Sequence, residues 1–300
     1  MEENSEKNSC ISSIIIAVMS LVVTLPLFII LDRYLPDWDW KFDLDRILLF
    51  LVIYLVVTFI FESVKIVSVI FFLAAIGWLT YGSYTNAYGF SDLFQDYKEL
   101  LFSMRYSPRP EEIVVSKLAN FHNNSEFKKA IDYTHPEVRN FAIEATCKHF
   151  VDEQEGRDRK LIQYFAVFKE INTRWHYVSD PAAREYFAKA SETIEGYKTS
   201  GKLSGDCDDH SILMAAAIKA IGGTVRLVMT KNHLYPELLI EDRDIRSVNY
   251  LVNKLFPDSE PIVYHTDEYE QNWINLDYTA SYPGGKFMDE EIISIWVVDK

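Results

Sequence analysis

The chain has 300 residues, 49% of them hydrophobic and 25% charged, which supports a packed core plus a second region and excludes disorder by composition. A formal net charge of −14 leaves no basic face for phosphate, so no nucleic-acid partner is expected. The three cysteines, Cys10, Cys147 and Cys207, stand far apart without a CxxC pair, which argues against a disulfide framework or a thiolate zinc site and fits a reducing compartment.

After a polar start, positions 11–31 run without a charge, about the twenty residues that cross a hydrocarbon layer of about 30 Å. The leading segment lacks the positive charge of a signal peptide, so this reads as a membrane span. Asp32 to Arg46, with Tyr34, Trp38 and Trp40, reads as an interfacial loop. A second apolar block from Ile47 to Tyr81 is broken only by Glu62-Ser63-Val64-Lys65. As one helix it would reach roughly 50 Å, too long for a single crossing, so spans at about 47–61 and 66–81 joined by a polar tip are expected over one tilted helix with Glu62 and Lys65 paired. Three spans make a multi-pass integral protein of a plasma or inner membrane. The Lys and Arg at 33, 41, 46, 98, 105 and 109 then put the C-terminal region in the cytoplasm. An amphipathic linker, Phe90 to Met104, closes a membrane region of 1–109 at Tyr106-Ser-Pro-Arg-Pro110.

Beyond it, Glu111 to Phe121, Ser125 to Tyr133 and Pro136 to Phe150 read as helices of an adaptor over 110–160, with Pro136 at a first helical position. The region 161–300 opens with an amphipathic helix, Lys160 to Trp175, and a further helix, Pro181 to Ile194. Gly205-Asp206-Cys207-Asp208-Asp209-His210 then leads into an Ala-, Leu- and Ile-rich helix ended by Gly222-Gly223. The period changes after that. Thr224 to Thr230, Leu234 to Ile240, Pro261 to His265, Asn272 to Asp277 and Ile292 to Val298 read as strands, with a helix-bearing insertion at Asp242 to Pro257. Helices followed by strands give an α+β domain with an antiparallel sheet.

Cys207 falls in the first turn of a buried helix, where free amides and the helix dipole favour a thiolate. A nucleophilic thiol needs a base and a group that orients the base. His233 at the start of one strand and Asp277 at the end of another can meet there, giving thiol, imidazole and carboxylate. Asp206, Asp208 and Asp209 read as helix-capping and dipole partners in preference to metal ligands, and no metal or other cofactor is expected. His210 reads as facing core or sheet. His122, His135, His149, His176 and His265 have no motif around them and read as surface or packing residues.

Three stretches, Gly205-Asp-Cys-Asp-Asp209, His233-Leu-Tyr-Pro-Glu237 and Trp273-Ile-Asn-Leu-Asp-Tyr-Thr279, resemble in order and spacing the transglutaminase-like branch of the papain-type thiol enzymes, over about Leu161 to Thr279. The resemblance implies a transglutaminase-like or papain-like core with Cys207 as nucleophile, His233 as base and Asp277 as orienter. It implies acyl transfer from an amide through a thioester, hydrolysis being expected over cross-linking, on a peptide or protein substrate near the membrane. Two departures from the family are His233-Leu-Tyr in place of its aromatic-rich motif and Pro236 inside a strand. Trp175 and Tyr177 are the candidates for a second oxyanion donor. The rival expectation is a catalytically silent module of the same type that binds peptide and scaffolds a membrane complex.

Overall fold

The computed structural model describes residues 16–28, 31, 44–85, 87–105, 111–114, 119–154, 156–179, 186–241, 244–287 and 291–298. The chain divides into two compact units, 1–104 and 105–300. The helices of the first unit are α1 (Ile16–Phe28), α2 (Leu44–Ser63), α3 (Lys65–Thr85) and α4 (Phe90–Arg105). Among the described residues, α2 alone is long and apolar enough to cross a membrane by length and composition; Ile16–Phe28 and Ile70–Thr85 are shorter apolar helices. Residues 11–15 and 29–30 of the first expected span, the core of the interfacial loop at 32–43 and the proline boundary at 106–110 lie outside the described residues.

The expected four-residue tip between the second and third spans shrinks to Val64 alone, whose N–H still bonds the Ile60 carbonyl at 3.2 Å. One residue is shorter than the two to five of a helical hairpin, so the helical ladder runs almost unbroken through this point. Large apolar side chains on α2 stand exposed, among them Leu48, Leu51, Leu55 and Phe59, while Ile53 and Val57 are buried. The amphipathic α4 belongs to this unit and docks on α1, its Tyr97 hydroxyl donating to the Val22 carbonyl at 3.0 Å.

In the second unit, helix α9 (Cys207–Ala220) lies against a mixed sheet, with every side chain from Ile212 to Ile218 excluded from solvent. An apolar helix with no polar face has to be covered on all sides. The sheet covers one side, and α6 (Pro136–Lys148), α7 (Arg159–Arg174) and α8 (Ala190–Ser200) cover the other. The segment expected as an adaptor is therefore part of this core: Phe127 and Ala130 of α5 (Asn124–Ala130) and Val138, Phe141 and Ala145 of α6 share one apolar cluster with α9. Pro136 opens α6, and the His135 Nδ1 caps it by accepting from the Glu137 N–H.

The strands are β1 (Glu111–Val114), β2 (Trp175–Tyr177), β3 (Leu203–Gly205), β4 (Val225–Thr230), β5 (Leu234–Ile240), β6 (Val263–Thr266), β7 (Asn272–Asn275) and β8 (Ile292–Val297), with α10 (Ile245–Leu255) between β5 and β6. The main sheet runs β1-β6-β7-β5-β4-β8, antiparallel except for the parallel pair β1–β6. Residues 111–114, expected as helix, are thus a strand. The β-branched pair Ile113 and Val114 suits a pleated edge once β6 offers one. Farther along the same segment, Ala119 pairs with Ser294 of β8, so the sheet curls until one segment meets both of its edges. The helix expected at Pro181 to Ile194 begins only at Ala190 and runs to Ser200; 180–185 lie outside the described residues.

Candidate active site

The short parallel pair β2–β3 sets Tyr177 opposite Gly205 and delivers the chain to the N-terminus of α9. Asp206 caps that helix, its Oδ1 accepting from the N–H groups of Asp208 (3.0 Å) and Asp209 (3.3 Å). Asp209 turns back and takes the Ala188 N–H at 3.0 Å. Gly205 has to be glycine, because a Cβ there would sit 2.4 Å from Asp209 Oδ2 and 2.5 Å from Asp209 Cβ. Asp206 and Asp209 thus have structural partners within the protein. The donor atoms of Asp206, Cys207 and Asp208 do lie within 4.8 Å of one another, but the Asp206 carboxylate is already engaged by two backbone amides. No cation site is assigned.

Cys207 is half-buried at the first position of α9, its thiol 3.5 Å from Asp208 Oδ1. The Ser211 hydroxyl bridges the Cys207 carbonyl (2.7 Å) and the Leu234 carbonyl (3.0 Å), pinning the start of β5 to the first turn of α9. The thiol departs from the lowered pKa expected at a helix N-terminus. Burial, with the charges of Asp208 and Asp206, pushes it up to about 12, while the Leu234 N–H acts in the opposite sense. At rest this group is a neutral thiol.

His233 sits in the tight turn between β4 and β5, where its carbonyl accepts from both the N–H and the hydroxyl of Thr230. Asp277 lies two residues past β7. The last registered pair of β5 and β7 is Glu237 with Asn275; beyond it Leu276 donates to the Pro236 carbonyl at 2.9 Å, and Pro236, lacking an N–H, returns no bond. The strand ends there and the chain turns, held by Asp277 N–H to Asn275 Oδ1 (2.8 Å) and Asn275 Nδ2 to the Gly285 carbonyl (3.2 Å). The proline noted in the sequence thus helps to release Asp277 from the sheet.

His233 Nε2 meets Asp277 Oδ2 at 2.7 Å, both side chains buried, and the Thr279 hydroxyl donates to the same oxygen at 2.5 Å. The imidazole lies between the rings of Tyr235 (5.9 Å, stacked) and Tyr278 (5.7 Å, edge-on), and Tyr177 stacks on Tyr278 at 5.7 Å. Burial first, then the charge of Asp277, push the Tyr278 hydroxyl up to about 12, so it stays neutral. Trp175 is half-buried, with its indole N–H fully enclosed and without a hydrogen bond among the described residues; Tyr177 is exposed.

The sequence reading set His210 against core or sheet but missed its partner Asn172 behind this cluster. His210 is fully buried, Nε2 at 2.8 Å from Asn172 Oδ1, while Asn172 Nδ2 donates to the carbonyls of Asp277 (3.0 Å) and Ala280 (3.3 Å). Asn172 follows Ile171 on the apolar side of α7, and a polar residue there was the available signal. His265, read as a surface or packing residue, is buried with Arg226 and Glu237 on the sheet face away from α9, Arg226 Nε at 2.6 Å and His265 Nδ1 at 2.5 Å from the Glu237 carboxylate. His149 joins Lys148 and Arg174 on the buried Glu170. No family model matches the chain, and no curated protein is significantly similar to it.

Proposed function

We propose that the chain is a membrane-anchored cysteine enzyme of transglutaminase-like type, acting on amide-linked acyl groups of a peptide or protein through a thioester. The observation that carries this reading is the 2.7 Å contact of His233 Nε2 with Asp277 Oδ2, His233 standing in a turn whose following strand Ser211 ties to the first turn of the helix that begins with Cys207. With Nε2 committed to the carboxylate, Nδ1 is the nitrogen that exchanges protons with Cys207. Because the thiol is neutral at rest, its proton passes to His233 as sulfur attacks the carbonyl carbon. The oxyanion falls to the Cys207 N–H, one of the helix-start amides without an intrahelical partner, and to the Trp175 indole N–H. The imidazolium then protonates the leaving amine. Water, or a second amine, attacks the thioester and frees the thiol; water is the default acceptor where nothing excludes it.

The exposed apolar surface of α2 supports membrane anchoring, since lipid is the partner that an unpaired apolar helix face accepts without cost. Three spans would place 105–300 in the cytoplasm, opposite the N-terminus; a continuous α2–α3 rod would place both on one side. Protease accessibility of 105–300 and of an N-terminal tag in sealed vesicles separates these arrangements.

The high pKa of Cys207 favours a second reading, a silent module that binds peptide without cutting it. Peptides and proteins exposed to the full-length chain and to Cys207→Ala, compared by mass spectrometry, decide between them. The enzyme reading expects cleavage or transfer products only with the native cysteine, and a hydroxylamine-labile acyl adduct on Cys207. Identical product sets from the two proteins would leave the silent module.

A further inference from the structure

We propose that His210 is a positioning residue for the His233–Asp277 pair: a buried imidazole that, through Asn172, fixes the turn carrying Asp277 and so holds that carboxylate on His233. This deepens the reading of Cys207, His233 and Asp277 as one site and rests on it.

The amide of Asn172 has no freedom in its orientation. Its Nδ2 faces the Asp277 and Ala280 carbonyls, which only accept, so its Oδ1 must face His210. A bond at 2.8 Å between Oδ1 and Nε2 then requires the proton on His210 Nε2, which fixes the tautomer. Nδ1 carries the lone pair, is buried, and takes no hydrogen bond among the described residues. Burial, reinforced by the nearby His233 and opposed by the charge of Asp277, brings the group down to about 4 and keeps it neutral at physiological pH. The Trp175 ring (4.9 Å, edge-on) and the Tyr278 ring (5.4 Å, edge-on) fix its plane.

The two carbonyls that Asn172 holds bracket Tyr278 and Thr279. Thr279 donates to the same Asp277 oxygen that meets His233, and the Ala280 N–H bonds back to the Asp277 carbonyl at 3.2 Å. Asn172 therefore grips both ends of the short turn that aims the carboxylate. Neutrality of His210 matters as well. A cation at this place would face Asp277 from behind and compete with His233 for its charge. The charges that act on His210 are those of Asp277 and His233, and the Tyr278 ring, the Trp175 ring and the Asn172 amide lie against it.

The test uses the full-length chain, labelled with 15N-histidine. In the native protein His210 is expected as the Nε2–H tautomer, unchanged between pH 5 and 8, with the His233 Nε2 proton shifted downfield by its bond to Asp277. His210→Phe and Asn172→Leu remove the grip from its two ends. Both are expected to abolish the downfield resonance and to lower Cys207-dependent turnover of a peptide product found by mass spectrometry by roughly tenfold to a hundredfold, the scale of a misplacement of about 1 Å. His210→Gln keeps a donor near the Nε2 position and is expected to restore both. A His210 carrying its proton on Nδ1, or titrating in that range, overturns the proposal without any variant. So does a folded His210→Phe or Asn172→Leu that lowers the melting temperature but keeps the resonance: that is the behaviour of packing alone. The resonance is read whether or not turnover exists, so absence of Cys207-dependent products sinks the enzyme reading while the resonance still judges the grip.

Discussion

At Cys207, two local fields oppose each other. The helix N-terminus favours a thiolate, but its contribution is small at a site where burial excludes water and a carboxylate lies 3.5 Å from the sulfur. The result, a thiol pushed up to about 12 from an ordinary 9.0, has a measurable sign. Between pH 7 and 8, iodoacetamide should modify exposed Cys147 faster than Cys207, and the Cys207 rate should keep rising with pH well above 9. Asp208→Asn removes the nearest negative charge and should shift that rise to lower pH; an unmoved profile would remove Asp208 as a cause. Because the folded state holds the proton more tightly than the unfolded chain, this residue's contribution to stability is complete below about 9 and declines as pH rises towards 12. For Asp277, replacement by Asn retains shape but offers His233 a donor or a weaker acceptor. Turnover should fall by roughly a thousandfold or more, with the circular dichroism spectrum unchanged, as triads do when the imidazole takes the wrong tautomer.

Among the elements, those defined by local signals were legible. Leu234 to Ile240 reads as a strand because a three-residue polar turn, Lys231-Asn232-His233, precedes it and an acidic loop follows, and β5 has those bounds. The cysteine helix is marked by its cap and paired glycines, and the Ile, Val and Leu stripe of α10 marks its helix. Residues 111–114 were illegible, because four residues have no period and their partner β6 lies far along the chain. Invisible for the same reason was the network on the far sheet face, where Arg226 also lies 4.3 Å from the centre of the Trp273 ring. Burial raises the Glu237 carboxyl, but Arg226 and His265 overcome it and hold it below the usual 4.5. Stability contributed here is present above about pH 4.5 and lost as pH falls through the lowered value. Arg226→Met should destabilise the unit by about 3–5 kcal/mol in urea titrations, since it strands a buried charge, whereas Arg226→Met combined with Glu237→Leu should recover most of that loss. Equal losses in the two variants would argue against the ionic account.

For the molecule as a whole, composition announced a second region, and the apolar blocks located it. What composition could not supply was the join at Val64, because a polar tip and a pair of helical charges share the same four letters. The anchoring proposal makes a prediction at this scale. Full-length protein should stay with membranes through alkaline carbonate extraction. Leu51→Lys with Leu55→Lys, each costing about 2.5–3.5 kcal/mol at the centre of a span, should release it or block its insertion; retention of the double variant would argue that α2 lies outside the bilayer.

The curl of the sheet also bears on the order in which this unit can form. Glu111 to Val114 wait for β6, and Ala119 waits for Ser294 on β8, so the sheet cannot close until the segment through β8 has left the ribosome. Translation proceeds at about 5–20 residues per second, so for seconds Cys207 is present before β8 arrives to complete the sheet. Until then the thiol keeps the ordinary pKa of an unfolded chain, and only closure of the fold around it raises that value towards 12.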